Sequence, residues 1–389
     1  MNHLISSFFC KKPCAPAASA KGQRGFTLLE MALATAVLGI LTLAAVPAMR
    51  AMLTAQQNAY VNQQTNINQR IARAMLAHAE NEVAGLPIGV PVGSLTAPCN
   101  NSANRVFFSP FDGTLCPTST GSLRNYLLQE GVPLHQVALD GTGNRNVRVY
   151  QRVAGLSQEA YLFYQGGPKV FLNYDVGVIY TTNCGNWQPC NVSAASSSSP
   201  PRSQPVFANE TPANAGAVRM TSSNFTTWTP GLRDVGLAYV STLPLQTKMM
   251  RETSDHLNRV RDAFLRFYES RRLANPASTA NHFPRPTDPS AQLAPVALPA
   301  GNQGCREGWY GLDTVNVDVL AQIGLGPSVE YGRTAWGASI EYCRDYDPSL
   351  TSPHGTAPHY AAIRIFRYLS DGAQPESGGI DDNNIVISF

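Results

Sequence analysis

From Met31 to Met49 the chain runs nineteen residues without a charge, and the pattern then changes character. An uninterrupted apolar stretch of this length is long enough to cross a bilayer as a helix. Beyond it, Tyr60, Ile67, Ile71, Ala74, Met75 and His78 recur at helical spacings among polar residues, so the helix continues with one apolar stripe. Gly85, Pro87, Gly89 and Pro91 end the pattern, which gives a helix over 26–82 about 85 Å long. Pro47 lies within it and removes one backbone donor, so a local kink or loosening is expected there.

The periodicity then shortens. Val147 to Tyr150, Tyr161 to Tyr164 and Val170 to Tyr180 read as strands separated by glycine-rich turns, and Arg124 to Gln129 as a short helix. The serine and proline run at 196–201 is too polar for a core, which makes 191–230 a linker or long loop. A second amphipathic helix follows over about 244–273. The fold class is therefore α+β: a long N-terminal helix packed on an antiparallel-sheet head over 83–190, then a second α+β module over 231–389.

Three echoes in the same order hint at a duplication. Arg259 to Leu265 resembles Arg70 to Leu76, Asp318 to Pro327 resembles Leu128 to Pro133, and Ile363 to Phe366 resembles Val147 to Tyr150. Unrelated modules produce similar helix-stop and strand patterns, so the expectation is structural: the second helix should pack on a sheet containing the Ile363 strand.

The start of the apolar stretch carries the most specific signal. Gly25-Phe26-Thr27-Leu28-Leu29-Glu30 follows a leader over 1–25 with Lys11, Lys12, Lys21 and Arg24 and no acid. A carboxylate at the head of a membrane span needs interfacial exposure or a cationic partner. Gly25 before Phe26, Glu30 as the fifth residue after that junction, and Pro47 in the span together resemble the processing site of type IV prepilins. The resemblance implies cleavage by a prepilin peptidase between Gly25 and Phe26, methylation of the new amino terminus, and a role in assembly for Glu30 and Pro47. It also implies an inner-membrane precursor with a single span and a periplasmic head, then packing against other pilin subunits in a surface pilus. The most fitting role is a minor pilin at or near the filament tip, with a surface receptor as a further partner. A pseudopilin of a type II secretion system, or a membrane-tethered enzyme exported by a pilin-like signal, would share the N-terminus.

Charge and chemistry narrow this further. Removing the four leader cations from 29 basic residues leaves 25 against 26 acidic ones, so the overall basicity reflects topology and indicates no nucleic-acid partner. The second helix holds seven basic and four acidic residues, the usual make-up of a solvated helix face. Six cysteines remain after processing, Cys99, Cys116, Cys184, Cys190, Cys305 and Cys343. In an exported chain they read as disulfides with about fifteen full pairings open, nearest-neighbour closure being the simplest. Trp187, between Cys184 and Cys190, is the first choice among Trp187, Trp228, Trp309 and Trp336 for an outward contact, although folding back over the sheet is the commoner fate.

No GxSxG, HExxH or GxxxxGK[ST] pattern occurs, so neither catalysis nor a cofactor is expected. His354 and His359 sit in a loop rich in proline and glycine, where a metal role is not expected. Asp345 with Asp347, or Asp381 with Asp382, fits turn chemistry better than a calcium site.

Overall fold

The computed structural model describes residues 27–83, 95, 105–107, 131–132, 146–183, 220–229, 234–291, 302–314, 316–326, 328–347, 359–371, 375 and 383–389. The chain divides into two compact units, 1–60 and 61–389. Helix α1, Leu28–Val83, belongs to both and contains Pro47 without a break. Pro47 supplies no N–H to the carbonyl of Leu43, and the helix continues past it.

In the second unit, the first sheet has β1 (Arg105–Phe107), β2 (Asn146–Tyr161), β3 (Lys169–Asn183) and β4 (Asp234–Ser241) in that order, all antiparallel. Ile71, Met75, Tyr150, Ile179 and Val240 form the core between α1 and this sheet. On the opposite face Val153, Val178 and Tyr180 pack against Met220 and Trp228.

Helix α2, Leu243–Ala274, matches the expected 244–273 closely and has proline in its first turn, where the missing N–H costs nothing. It precedes β5 (Tyr310–Gly311), β6 (Glu341–Tyr346), β7 (Tyr360–Phe366) and β8 (Asn384–Ser388), again antiparallel and in chain order. Leu257, Val260 and Phe264 of α2 meet Tyr342, Ile363 and Ile365 in one core. Phe264 stacks on Tyr342 with ring centroids 4.5 Å apart. The second helix thus packs on the sheet holding the Ile363 strand, as a repeated architecture requires.

Several boundaries differ from expectation. Tyr161 to Tyr164 is not a separate strand: β2 runs from Asn146 to Tyr161, and 162–168 turn the chain into β3. A register shift between Val153 and Leu156, with Gly155 at φ +67°, interrupts the alternation that a single strand would show. Residues Asp234–Ser241, assigned from sequence to the second module, are the fourth strand of the first sheet, because they pair with β3. Within the expected linker, Met220 and Trp228 are buried on that sheet; the serine run lies outside the described residues, as does the Arg124 to Gln129 helix. The strand echo also fails in detail, since Ile363 is on the third strand of its sheet and Val147 on the second. Alternating aliphatic residues around an arginine recur in any strand with two different faces.

The two sheets share material. The β2–β3 hairpin extends beyond β4, whose pairing with β3 begins at Val176, and its Leu162, Val170 and Leu172 enter the core that α2 forms with the second sheet. The free edge of β3 there is bridged to the second module: the Phe171 amide donates to the Arg367 carbonyl at 3.1 Å.

Candidate assembly site

Thr27 and Glu30 close the start of α1 reciprocally. The Thr27 amide donates to the Glu30 carboxylate at 2.9 Å, and the Glu30 amide donates to the Thr27 hydroxyl at 3.4 Å. This is a capping box, which satisfies two of the orphan amides of a helix N-terminus and places negative charge at the positive end of its dipole. The sequence reading singled out Glu30 but gave Thr27 no role; the Thr-x-x-Glu spacing was the available signal. Gly25 and Phe26 lie outside the described residues.

Below this cap, Leu28, Leu33, Leu38, Leu41, Val46 and Met49 are all exposed. Thr35 and Thr42 do not interrupt the apolar character, because their hydroxyls donate to carbonyls of the preceding turn at 2.9 Å. The helix is long and apolar enough to cross a membrane. Such a surface, bare over its whole circumference, calls for lipid or neighbouring apolar helices.

Residues 20–46 match the family model described as the prokaryotic N-terminal methylation motif. This N-terminus is that of a type IV pilin-like prepilin. Comparison with curated proteins and with solved structures gave no match. The motif implies that a prepilin peptidase processes the prepilin and that the product assembles with other pilins, and the helix fits a membrane-anchored precursor.

The other residues singled out from sequence scatter through the head. Cys305 and Cys343 form a disulfide across a separation of 38 residues, both fully buried. Cys99, Cys116, Cys184, Cys190 and Trp187 lie outside the described residues. Trp228, Trp309 and Trp336 are buried, and the last two donate from their indole nitrogens to the Asn302 carbonyl at 3.1 Å and the Gln246 side chain at 2.7 Å. Trp228 packs on the first sheet, Trp309 lies beside Arg364 of the second, and Trp336 ties its loop to helix α2. Asp347 pairs with Arg306, and Asp345 lies 3.7 Å from His359, whose Nε2 is 2.9 Å from the Thr279 carbonyl. Among the described residues no group of three or more His, Cys, Asp or Glu could hold a metal ion. Asp381, Asp382 and His354 are outside the described residues.

Two polar clusters were not anticipated. Gln64 and Asn68, one helical turn apart on α1, are completely buried. The Asn68 amide donates to the Gly236 carbonyl at 2.6 Å and to the Thr181 hydroxyl at 3.3 Å, and that hydroxyl donates to Gln64 at 3.3 Å. Gly236 has φ +67°, and a Cβ there would lie 2.8 Å from the Gln64 backbone, so only glycine lets the helix come this close. In the second sheet, Arg364 pairs with Glu341, donates to Gln303 at 2.9 Å, and lies 4.3 Å from the Trp309 ring centre. Burial raises the Glu341 carboxyl above its ordinary value despite this arginine.

Proposed function

We propose that this chain is a minor type IV pilin, a low-copy subunit built into a surface filament at or near its tip, with the two-module head as its contact surface. The observation that carries the reading is the methylation motif over 20–46 running directly into an exposed apolar helix whose first turn holds Glu30. A mature chain of 364 residues after cleavage at Gly25 supports a low-copy role, since it supplies two helix-on-sheet modules behind one anchor. The act proposed is assembly rather than catalysis. The precursor sits in the inner membrane with its head in the periplasm, and the processed subunit leaves the bilayer for the pilus.

Removing a buried carboxylate that faces a cationic partner leaves the cation uncompensated, which costs about 3–5 kcal/mol. Glu30→Ala is therefore expected to be cut normally yet to be absent from sheared filaments, read by immunoblot of filament and membrane fractions. Normal incorporation of this variant would overturn the assembly reading. Incorporation accompanied by loss of protein secretion, rather than of surface fibres, would move the chain to a secretion pseudopilus.

A further inference from the structure

Helix α1 and strand β4 run the same way and leave a groove between them. Gln64 and Asn68 meet β4 at Gly236; further along, Gln69, Ala72, Arg73 and Leu76 face the stretch from Leu237 to Ser241 across a groove of about 440 Å³. Its floor is the outer edge of the first sheet, since β4 is the last strand there. The Thr242 amide donates to the Asp175 carbonyl at 3.0 Å, in the register that sets Gly177 opposite Val240, Val178 opposite Tyr239 and Ile179 opposite Ala238. Opposed residues of an antiparallel pair alternate between bonded and non-bonded, so Tyr239 turns its N–H and C=O outward, away from β3. The other edge strands are short: β1 has three residues, β5 two and β8 five, against eight in β4. Residues 235–241 also carry no charge and no proline, the usual guards of an open edge, and the irregularity in their pairing with β3 lies before Leu237.

We propose that this groove binds an extended acidic peptide segment of another protein, which adds to β4 as a fifth strand. The open edge itself selects the occupant, because its row of outward donors and acceptors is satisfied along its length by extended backbone. A strand added at the usual spacing of about 4.8 Å turns every second side chain toward α1. There it meets Ala72 and Leu76 on the wall, with Ala238 and Val240 on the floor, which suits an apolar residue. Arg73 stands on the same wall, exposed and without an ion-pair partner among the described residues, whereas Glu80, two turns further along α1, is paired with Lys248. A carboxylate at the neighbouring inward position, about 7 Å along the strand, complements that arginine. On the opposite face Tyr239, 56% exposed, offers its ring to the side chains that point the other way. A second copy of β4 fits less well. Antiparallel pairing about a two-fold axis puts both α1 helices on the same face of the joined sheet and brings a second Arg73 toward the first.

Such binding goes beyond the filament role and does not depend on it, since the groove is formed within the head of a single chain. The full processed chain, held in detergent, is titrated onto immobilised ten-residue peptides of alternating valine and threonine whose central valine is replaced by glutamate, glutamine or lysine. The glutamate peptide is expected to bind best, about threefold tighter than the glutamine peptide, and the lysine peptide least. Arg73→Glu should reverse that order; Arg73 is exposed, so near-ultraviolet circular dichroism should match the wild type. Tyr239→Pro removes the outward N–H without touching the β3 ladder and should weaken all three peptides at least about tenfold. The glutamate peptide should also slow hydrogen exchange at the Tyr239 amide. No binding of any peptide, the wild-type order of peptides in Arg73→Glu, or unchanged binding by Tyr239→Pro would each overturn the proposal. So would protection of the Tyr239 amide that rises with protein concentration in the absence of peptide, which would assign the edge to a second copy.

Discussion

Helix α1 and helix α2 each lie on a four-stranded antiparallel sheet, yet the two seams are made of different chemistry. Where α1 first meets its sheet it does so through the fully buried Gln64 and Asn68 with Ile67 half-buried between them, and fully buried apolar contact follows at Ile71 and Met75. The α2 seam is apolar where it meets the second sheet, through Leu257, Val260 and Phe264, and Phe264 stacks on both Tyr342 and Phe389. An apolar seam tolerates small slips, whereas amides pointed at one glycine carbonyl and one threonine hydroxyl have a single satisfied register. The difference fits their tasks. Helix α1 continues from an apolar segment whose contacts are non-directional, and its position on the head has to be specified by something directional. Helix α2 has no such extension; against the second sheet it relies on shape and ring packing, while its buried Gln246 and Thr253 bond Trp336 and Ala335 of a neighbouring loop.

The comparison breaks most readily at Phe264. Phe264→Ala should cost about 3–5 kcal/mol, because a fully buried ring leaves a cavity that both stacking partners border. Urea unfolding followed through the buried Trp309 and Trp336 measures it, and a loss below 1 kcal/mol would mean that the α2 seam does not hold the second module. Close behind is the staple. The Cys305→Ala/Cys343→Ala pair removes a closure of 38 residues and should cost about 4 kcal/mol, read from the urea midpoint under oxidising conditions.

At the polar seam, Gly236→Ala forces a side chain into a left-handed backbone conformation and against the Gln64 backbone. The expected cost is about 3 kcal/mol, from strain together with overpacking. Hydrogen exchange on 61–79 should rise more than on α2; equal loosening of both helices would show that the two seams are one cooperative unit.

The smallest effect concerns pH. Asp175, beside Arg152 at 3.8 Å, accepts from the Leu95 amide at 2.9 Å and the Gly155 amide at 3.0 Å. Burial still raises its carboxyl above the ordinary value of 3.8, as it raises Glu341 above 4.5. A raised folded-state value means that the native chain holds its proton more tightly than the unfolded one. Between the ordinary and the raised value, these groups therefore add stability as pH falls and withdraw it as pH rises. Melting of Asp175→Asn and of wild type across this acidic range should show the wild type gaining relative to the variant as pH decreases. The opposite trend would mean that the Arg152 pairing outweighs the burial.

How much of this was legible varied with the physics of each element. Helix α2 could be read almost to the residue, because a long amphipathic pattern with proline at its start has few alternatives. The methylation motif over 20–46 was legible for a different reason: it is linear and needs no tertiary context. The single long β2 was not, since the bulge at Gly155 shifts which residues face inward and makes one strand look like two. Gln64 and Asn68 were missed because amides on an amphipathic helix ordinarily face water, and only the glycine opposite them makes burial affordable. The stack of Phe171 on Tyr368 was equally hidden, for the two are almost two hundred residues apart in the chain.

By itself the sequence determined what is local: the apolar span, the processing motif and the two amphipathic helices. Each rests on spacing within a few turns of chain. The tertiary structure decided what depends on partners far along the chain. It gave β4 to the first sheet, inserted the β2–β3 hairpin into the core of the second module, joined Cys305 to Cys343, and stacked Phe171 of the hairpin on Tyr368 of the second module. Such pairings follow from which apolar faces can be buried together, and a linear pattern records the existence of those faces without recording their partners.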